Sequence, residues 1–354
     1  MTTGQGNTGH GDGGAAGIAP LHIENRRYLG AKTRMLDFIE QTIMAECPDA
    51  EVVADIFAGT GVVAHRFQAR GLRVIVNDLL YSNYVSYDTW FGDGEVDEGR
   101  VRDAIAGYNA CQGIDGYVTA NFGGRYFSVD NARRIDEIRE DIERRHLSGE
   151  IGKRERDVLL TSLLYAIDKV ANTVGHYDAY RKKMDSFAPL AMRLPDVAPH
   201  PGNDIRNMDA NELVREIEPD VTYIDPPYNS RGYENAYHVL ENIAEWKKPK
   251  VEGVAVKAVD RKAKSSRYTR KSAPQAMQEL VDDISSRLIV VSYNNMEKKG
   301  NARSNAKISG DELREILETK GTVEVRSIGF QAFTTGKTNL DDHRELLYVC
   351  HVGE

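Results

Sequence analysis

The 354-residue sequence predicts an α/β fold with a doubly wound, mostly parallel sheet that is interrupted by a mostly helical insertion. Between residues 52 and 76, an apolar run, a glycine turn, a helical segment and a second apolar run follow one another. This is the order of a parallel βαβ unit. The same alternation returns after Pro195, whereas residues 96–195 carry densely charged helical segments and few apolar runs.

The predicted elements follow from apolar periodicity and turn residues. In the first half we expect a helix over 35–43, strands over 52–56 and 72–76 around a helix over 62–70, and insertion helices over 130–145 and 154–173. In the second half we expect strands over 221–224, 288–291, 324–328 and 346–351, and helices over 235–245 and 310–319. The domain prediction is a disordered glycine-rich tail over 1–20, one catalytic α/β domain formed by 21–95 and 196–354, and the helical insertion over 96–195.

Composition narrows the class of protein. No apolar run approaches the ~20 residues that a membrane-spanning helix needs, and no basic-then-apolar signal opens the chain. Three distant cysteines and nine histidines without paired spacing indicate neither a disulfide framework nor a metal site. We therefore expect a cytoplasmic protein that binds no metal and no membrane.

One segment departs from the net charge of −8. Between Lys247 and Lys271 there are ten basic residues against Glu252 and Asp260, a local charge of +8 that leaves −16 for the rest. Such segregation suits contact with phosphates on one side of the molecule. A solvated charged loop explains the segment equally well on its own.

The glycine turn marks a candidate cofactor site. Asp55 precedes Gly59 and Gly61, and the next predicted strand ends in Asp78. Glycines between a strand and a helix let the backbone approach a ligand. An acidic residue at the second strand end commonly accepts hydrogen bonds from ribose hydroxyls. By itself this pattern fits NAD, FAD or S-adenosylmethionine, and a purely structural turn also remains open.

The most specific motif is Asp225-Pro226-Pro227-Tyr228, directly after the strand over 221–224. Ligands of open α/β sheets bind at the carboxyl ends of strands. Two acceptors, the Asp225 carboxylate and the Pro226 carbonyl, could hold both hydrogens of an exocyclic amine and turn its lone pair outward. Tyr228 would offer an aromatic face for a base that has left the duplex.

These motifs together resemble the Dam-related (alpha-group, DPPY) N6-adenine-specific DNA methyltransferases of restriction–modification systems. Residues 55–61, reading DIFAGTG, are similar to the family's DPFAGSG, with Ile56 and Thr60 as departures. The resemblance extends to Tyr28-Leu29-Gly30-Ala31-Lys32, to DKVANT over 168–173, to NMDA over 207–210, to DPPY with the residues up to Trp246, and to VSYNN over 291–295.

The resemblance implies a Rossmann-like methyltransferase domain, S-adenosyl-L-methionine as cofactor and double-stranded DNA as partner. It also implies a prokaryotic or phage-encoded protein that either has a cognate restriction endonuclease as a further partner or is an orphan methylase. The cofactor would be bound by Tyr28, Gly30, Lys32, Asp55, Phe57, Ala58, Gly59, Gly61, Asp78 and Asp209. Among these, Asp55 would hold the methionine ammonium, Lys32 its carboxylate and Asp209 the adenine amino group. Asp209 also suits the N-cap of a helix over 210–217.

The insertion, by its place in the motif order, would read the DNA sequence. The candidate DNA-binding residues are Asn172, His176, Tyr177, Arg181, Ser230, Arg231, Lys262, Lys264, Arg267 and Arg270. Three other readings stay open: a cytosine-N4 or RNA-adenine enzyme on the same fold, a DNA-binding subunit without catalysis, and a methyltransferase fused to a nuclease. The intact Asp225, Pro226, Tyr228 and Asp55 favour an active adenine enzyme.

Overall fold

The computed structural model describes residues 20–227, 232–260, 264–294, 306–329 and 344–353. The strands are Val52–Asp55 (β1), Arg73–Asn77 (β2), Asp204–Arg206 (β3), Val221–Ile224 (β4), Val251–Glu252 (β5), Lys257–Ala258 (β6), Leu288–Asn294 (β7), Gly321–Gly329 (β8) and Arg344–Val352 (β9). The helices are Leu36–Glu46 (α1), Val62–Gln68 (α2), Tyr81–Phe91 (α3), Glu98–Ala110 (α4), Tyr117–Phe122 (α5), Val129–Leu147 (α6), Lys153–Val170 (α7), Ala210–Leu213 (α8), Tyr233–Ala236 (α9), His238–Glu245 (α10), Ala273–Asp283 (α11) and Gly310–Glu318 (α12). The predicted tail lies outside the described residues, apart from Pro20.

Seven strands form one sheet in the order β3-β2-β1-β4-β7-β9-β8. The first five strands run parallel to one another, and β9 runs antiparallel to both β7 and β8. The chain moves from β1 outward to β2 and β3, then returns to the other side of β1 to form β4. The predicted α/β fold with a doubly wound, mostly parallel sheet is confirmed.

Helices cover both faces of the sheet because neighbouring strand residues point to opposite sides. On β1, Val53 faces a core built with α1, α2 and α3, and Ala54 faces a core built with α8, α11 and α12. On β7, Val290 belongs to the first core and Ile289 to the second. Strands that are buried on both faces read as continuous apolar runs, which explains why the sequence marks β1, β4 and β7 clearly.

The helices α4 to α7 lie in the region predicted as a helical insertion. Their apolar residues, such as Ile135 of α6 and Leu160 of α7, share a third core with Leu240 of α10. The segment is therefore packed against an element that follows β4 and does not form a separate core. The boundaries of the predicted insertion stay a prediction.

The structure adds elements that the sequence analysis did not predict: α3, α11, β3 and the β5–β6 hairpin. In α3, eight of the eleven residues are buried, so the helix lacks the polar face that periodicity detects. The single helix predicted over 235–245 is two helices, which meet at Tyr237. In the described part of the chain, no helix is both long and apolar enough to span a bilayer.

Candidate active site

A cleft opens at the carboxyl ends of β1 and β4, the adjacent strands at which the chain reverses its direction across the sheet. Its volume is about 870 Å³, including the part open to solvent. The predicted cofactor residues that line it are Tyr28, Gly30, Lys32, Asp55, Phe57, Ala58, Gly59, Asp78 and Asp209. Because ligands of doubly wound sheets bind at such a switch point, the cleft is the candidate active site.

The glycine turn forms the floor of the cleft. Gly59 has a φ of 55°, and a Cβ there would lie 3.0 Å from Cε1 of Tyr28. Gly61 has a φ of 81° and is the N-cap of α2, where a Cβ would meet Phe91 at 3.1 Å. Both positions need glycine for its backbone conformation and for space. Gly61 does not line the cleft itself, so its role is to turn the chain into α2.

Asp55 is a buried carboxylate with no side-chain partner. It is 1% exposed, and no described side chain donates a hydrogen bond to either of its oxygens. Burial raises its pKa well above the ordinary value and the neighbouring Asp225 raises it further, while the backbone N–H of Ala64 opposes the rise. An unpaired buried carboxylate costs free energy unless a cation or donor completes it. The position therefore fits the ammonium group of an amino-acid ligand.

Two further acidic residues border the cleft and also have structural partners. Asp78 accepts a hydrogen bond from the Gly59 N–H at 3.0 Å and another from the Leu80 N–H at 2.8 Å. Burial raises its pKa to about 6. Asp209 caps α8 by accepting from the Asn211 N–H at 2.9 Å. For Asp209 the capping position and the cleft position occur together, although α8 ends at Leu213, earlier than predicted.

Lys32 lies beside the catalytic candidate Asp225. Its Nζ is 3.0 Å from Oδ1 of Asp225 and 4.0 Å from Oε2 of Glu345. Burial raises the pKa of Asp225 to about 6, and the positive charge of Lys32 opposes that rise. The contact of Lys32 with the methionine carboxylate stays a prediction, and the structure places its ammonium beside Asp225 in the cleft.

The motif that follows β4 is described only in part. Asp225 and Pro227 line the cleft, whereas Pro226 is buried and is not among the lining residues. Tyr228 lies outside the described residues, as do Ser230, Arg231 and Lys262. The structure thus brings the Asp225 carboxylate to the cofactor cleft, and the expected roles of the Pro226 carbonyl and Tyr228 stay predictions.

Two of the predicted DNA contacts lie in the interior. Asn172 is 1% exposed, and its amide donates to the Arg125 and Arg181 carbonyls at 2.9 and 3.0 Å. Tyr177 is 2% exposed and donates to Asp168 at 2.8 Å. Neither side chain can reach a base from this position, which disagrees with the predicted contacts. Both residues instead hold the loop that follows α7.

The other two loop candidates have different surroundings. His176 is partly buried, and its Nδ1 accepts from the Asp178 N–H at 3.3 Å. Arg181 is exposed and forms an ion pair with Asp185 at 2.8 Å. Only Arg181 of this group therefore presents its charge at the surface.

The basic segment is largely neutralised by acidic residues from elsewhere in the fold. Lys264 lies in the cleft and pairs with Glu241 and, at 2.9 Å, with Glu245. Arg267 pairs with Glu279 at 2.6 Å, while Arg270 is exposed. Other members, Lys247, Lys248, Lys250 and Lys257, also have acidic partners. Six of the ten cations are therefore paired, Lys264 is a cleft residue, and contact of Arg270 with DNA stays a prediction.

The sequence analysis missed several residues at or near the cleft. Glu345 lies 4.0 Å from Lys32, and no motif in the sequence marked it, since it comes just before the strand predicted from 346. Tyr233 lines the cleft near Gly30. Its place in the sequence, seven residues after Pro226 of the catalytic motif, could have marked it as a candidate site residue. Tyr268 meets Phe57 edge-on, with ring centroids 5.1 Å apart. No group of three or more metal-ligating side chains is found in the described residues.

The family model described as D12 class N6 adenine-specific DNA methyltransferase matches residues 28–302. Type II methyltransferase M.CviAII of Paramecium bursaria Chlorella virus 1 is 32% identical, over 84% of this chain and 89% of that protein. Type II methyltransferase M.NlaIII of Neisseria lactamica is 29% identical, over 90% and 95%. Modification methylase LlaI of Lactococcus lactis subsp. lactis is 33% identical over 89% of this chain but 52% of its own length.

The relatives thus fall into two lengths. The chain spans about half the length of the LlaI, StsI and FokI methylases that it matches. It spans nearly the whole of M.NlaIII.

Proposed function

The chain belongs to the D12 class of N6 adenine-specific DNA methyltransferases, and we propose that it transfers a methyl group from S-adenosylmethionine to the N6 nitrogen of an adenine in double-stranded DNA. The observation that carries this proposal is the pair of carboxylates at the switch point, the buried Asp55 with no side-chain partner and the half-buried Asp225 beside Lys32. The substrate is a specific DNA site, and modification of host or phage DNA in the cytoplasm is the biological setting that the similar proteins suggest.

The cleft residues fit the cofactor. The unpartnered carboxylate of Asp55 suits the ammonium of the methionine part, and the backbone at Gly59 leaves space where a side chain would clash. Asp78 directly follows β2 and is a suitable acceptor for ribose hydroxyls. Asp209 directly precedes α8 and is a suitable acceptor for the adenine amino group. When bound, S-adenosylmethionine supplies an electrophilic methyl group on a sulfonium.

Asp225 acts on the adenine amine. The lone pair of the N6 nitrogen is delocalised into the ring, so the amine is a weak nucleophile until the nitrogen becomes tetrahedral. An ionised Asp225 accepts a hydrogen bond from one N–H and can take up the proton that the nitrogen loses on alkylation. The carbonyl of Pro226 is the proposed second acceptor. Tyr228 is proposed to stack on the extruded base, worth roughly 1–3 kcal/mol.

Lys32 keeps Asp225 in its acceptor form. A buried carboxylate with a pKa near 6 is partly protonated just below neutral pH. The ammonium at 3.0 Å favours the ionised state and fixes the position of Oδ1. Glu345 lies 4.0 Å from the same ammonium, and its negative charge raises the pKa of Asp225, so it acts against Lys32. Lys32 is thus the positioning residue for the acceptor.

The test is direct product analysis. The purified protein is incubated with methyl-labelled cofactor and duplex DNA, the DNA is digested, and the labelled nucleoside is identified. We expect the label in N6-methyldeoxyadenosine. Label in N4-methyldeoxycytidine, label only with an RNA substrate, or no label at all would each overturn the proposal in favour of one of the readings left open by the sequence.

Sequencing the DNA of a host that expresses the protein, with detection of modified adenines, then gives the recognition site. We propose that the helices α4 to α7 and the loop after α7 contribute to its recognition. A cognate restriction endonuclease is the proposed biological partner, and cleavage of unmethylated but not methylated host DNA would identify it.

A further inference from the structure

The β5–β6 hairpin carries the most exposed of the large apolar side chains among the described residues. Val254, at its tip, is 85% exposed. The hairpin has only two paired residues in each strand, with Gly253 at a φ of 76° and Val256 at a φ of 51°. A β-branched residue in that region is strained and persists only where the surroundings over-determine it. The tip is therefore a built feature.

The hairpin is held from below by two buried rings. The Ala255 carbonyl accepts one hydrogen bond from the Tyr126 hydroxyl and makes another with Nε2 of His238, each at 2.9 Å. Val256 is buried next to them. These contacts fix the turn on both sides of Val254 but make no use of Val254 itself. The arrangement presents an apolar side chain to the outside.

The same anchors hold the loop that follows α7. The Tyr126 hydroxyl also lies 2.9 Å from the Tyr177 carbonyl, so its single proton is shared between that carbonyl and the carbonyl of Ala255. Lys257 of the hairpin pairs with Asp178 at 2.9 Å. This loop has an exposed apolar residue of its own, Val174, at 69%. Hairpin and loop are therefore one rigid surface, which we call the hairpin–loop surface and define as residues 172–183 and 251–258.

The hairpin–loop surface lies beside the candidate active site. The Tyr177 N–H donates to the Ala236 carbonyl at 2.7 Å, and Lys257 donates to the Asn235 side chain at 3.1 Å. Both acceptors belong to α9, whose first residue, Tyr233, lines the cleft. A single helical turn is about 5.4 Å long, so the surface stands next to the cleft.

Cations frame this surface. Arg125, Lys182 and Lys183 are exposed, and the ion pairs of the described residues do not include them. The buried Asn172 amide joins the Arg125 and Arg181 carbonyls, so the backbone of Arg125 lies beside the loop, whereas the charge of Arg181 is paired with Asp185. Uncompensated cations beside an apolar tip match a duplex, which offers phosphates at its edge and stacked bases inside. In the basic segment, by contrast, six of the ten cations have acidic partners.

We propose that double-stranded DNA docks on the hairpin–loop surface and that Val254 is an apolar wedge that enters the base stack at the target adenine. The inference rests on the proposed function, because the wedge has a purpose only if an adenine must leave the duplex. Apolar wedges that unstack a base step are a general device of DNA-deforming proteins. Extrusion costs least for a base that is already mispaired, and this gives the test.

The test compares Val254→Ser with Val254→Leu and with Leu147→Ser as a matched control. Leu147 is 77% exposed at the end of α6, away from the contacts described above. The substrates are the cognate duplex, found by sequencing modified host DNA, and the same duplex with the target adenine mispaired. For Val254→Ser we expect kcat/KM to fall roughly tenfold or more on the paired duplex and to stay near the wild-type value on the mispaired one. Val254→Leu and Leu147→Ser should resemble the wild type on both.

The outcomes separate the inference from the proposed function. If the wild type methylates neither duplex, the proposed function fails. If the wild type is active but Val254→Ser behaves like Leu147→Ser, or is impaired equally on both duplexes, the wedge is overturned. Loss of self-association in light scattering, with methylation unchanged, would assign the tip to a second copy of the chain and would also overturn it.

A second measurement tests the cations. The slope of log K against log salt for duplex binding is negative. Lys182→Gln/Lys183→Gln should reduce its magnitude by about 2, because each lost phosphate contact removes about 1. The control is Lys247→Gln/Lys250→Gln, which removes two exposed lysines that already pair with Glu245 and Glu252. Equal slopes for the two double variants would overturn the docking surface.

Discussion

Asp55 and Asp225 are acids at the ends of adjacent strands, the first buried and the second half-buried, and their surroundings give them different tasks. Asp225 has a lysine at 3.0 Å, whereas Asp55 has no side-chain partner among the described residues. An acid paired with a cation remains ionised and can accept a hydrogen bond near neutral pH. A buried acid without such a pair is stabilised when a ligand supplies a cation. Residues 170 positions apart in the chain thereby form the two halves of one proposed site.

Asp225→Ala is expected to abolish methyl transfer and to leave cofactor binding largely intact. The carboxylate is the acceptor for the reacting amine, and losing one such group commonly costs roughly 100-fold or more in rate. Turnover and calorimetric cofactor binding are measured on the same preparation. Near-normal turnover of the variant would be fatal to the proposed mechanism.

Lys32→Gln is expected to move the acidic limb of the profile of kcat/KM against pH upward. Only the ionised Asp225 is an acceptor, so wild-type activity should be lost as the pH falls through about 6, the pKa of that carboxyl. Without the ammonium, burial is unopposed and the pKa of Asp225 rises. The control is Lys264→Gln, another cleft lysine, which pairs with Glu241 and Glu245. An identical shift in both variants would contradict the specific role of Lys32.

Asp55→Asn is expected to weaken cofactor binding by roughly tenfold or more, since a charge-assisted contact is lost, and at the same time to raise the melting temperature of the ligand-free protein. The folded-state pKa of Asp55 is raised, so ionisation in the unfolded chain disfavours folding at neutral pH. The gain should shrink toward about pH 4, where the unfolded acid is protonated too.

The control for that variant is Asp136→Asn, a second buried aspartate. Its oxygens accept from the Val118 and Thr119 N–H groups at 2.8 Å and from the Thr119 hydroxyl at 2.7 Å. We expect this variant to lower the melting temperature without changing cofactor affinity. If both asparagine variants destabilise the ligand-free protein, Asp55 has a structural partner and is not a vacant cation site.

At the scale of elements, α6 and α10 are joined by one buried cation. Arg139 donates to the Ile243 and Ala244 carbonyls at 2.8 and 3.2 Å, and its guanidinium lies over the ring of Trp246 at 5.1 Å. These carbonyls end α10, and a helix end needs such donors. Burial lowers the pKa of Arg139 to about 10, so it stays charged at neutral pH.

Arg139→Ala is expected to lower the free energy of unfolding by about 3 kcal/mol, because it leaves helix-end carbonyls unpaired and a cavity under Trp246. Chemical denaturation measures the change. Arg102→Ala, which removes an exposed partner of Glu98 within α4, should change it by less than about 0.5 kcal/mol. Comparable losses in both variants would show that Arg139 is not a special link.

Element prediction succeeded where a strand is buried on both faces or a helix has one apolar stripe. β4 was predicted with its observed bounds, and α6 and α12 within one or two residues. It failed for α3, which is buried nearly all round, and for β3, whose three residues are only partly buried. Pattern methods detect contrast between faces, and these elements offer none.

At the scale of the whole molecule, the helices of the predicted insertion and the helix after β4 share one core. Packing between α3 and α7 joins that core to the sheet, since Tyr87 and Trp90 of α3 belong to the sheet core while Val85 belongs to the other. The two predicted domains should therefore not unfold independently.

Calorimetry is expected to show a single unfolding transition whose calorimetric and van't Hoff enthalpies agree. A saturating cofactor should shift the whole transition upward, because binding to the sheet then stabilises the insertion as well. Two resolved transitions, of which only one responds to the cofactor, would contradict the shared core.

The sequence by itself determined the α/β class, the order of the motifs and the positions of Gly59, Asp55 and Asp225, because turns and strand ends are set by local backbone geometry and apolar runs. Only the tertiary structure decided which charges are free. Lys32 meets Asp225 across more than 190 residues, Lys264 enters the cleft, and Asn172 turns inward, while Lys182 and Lys183 stay exposed. Charge pairing depends on which distant segments pack together, and no local pattern carries that information.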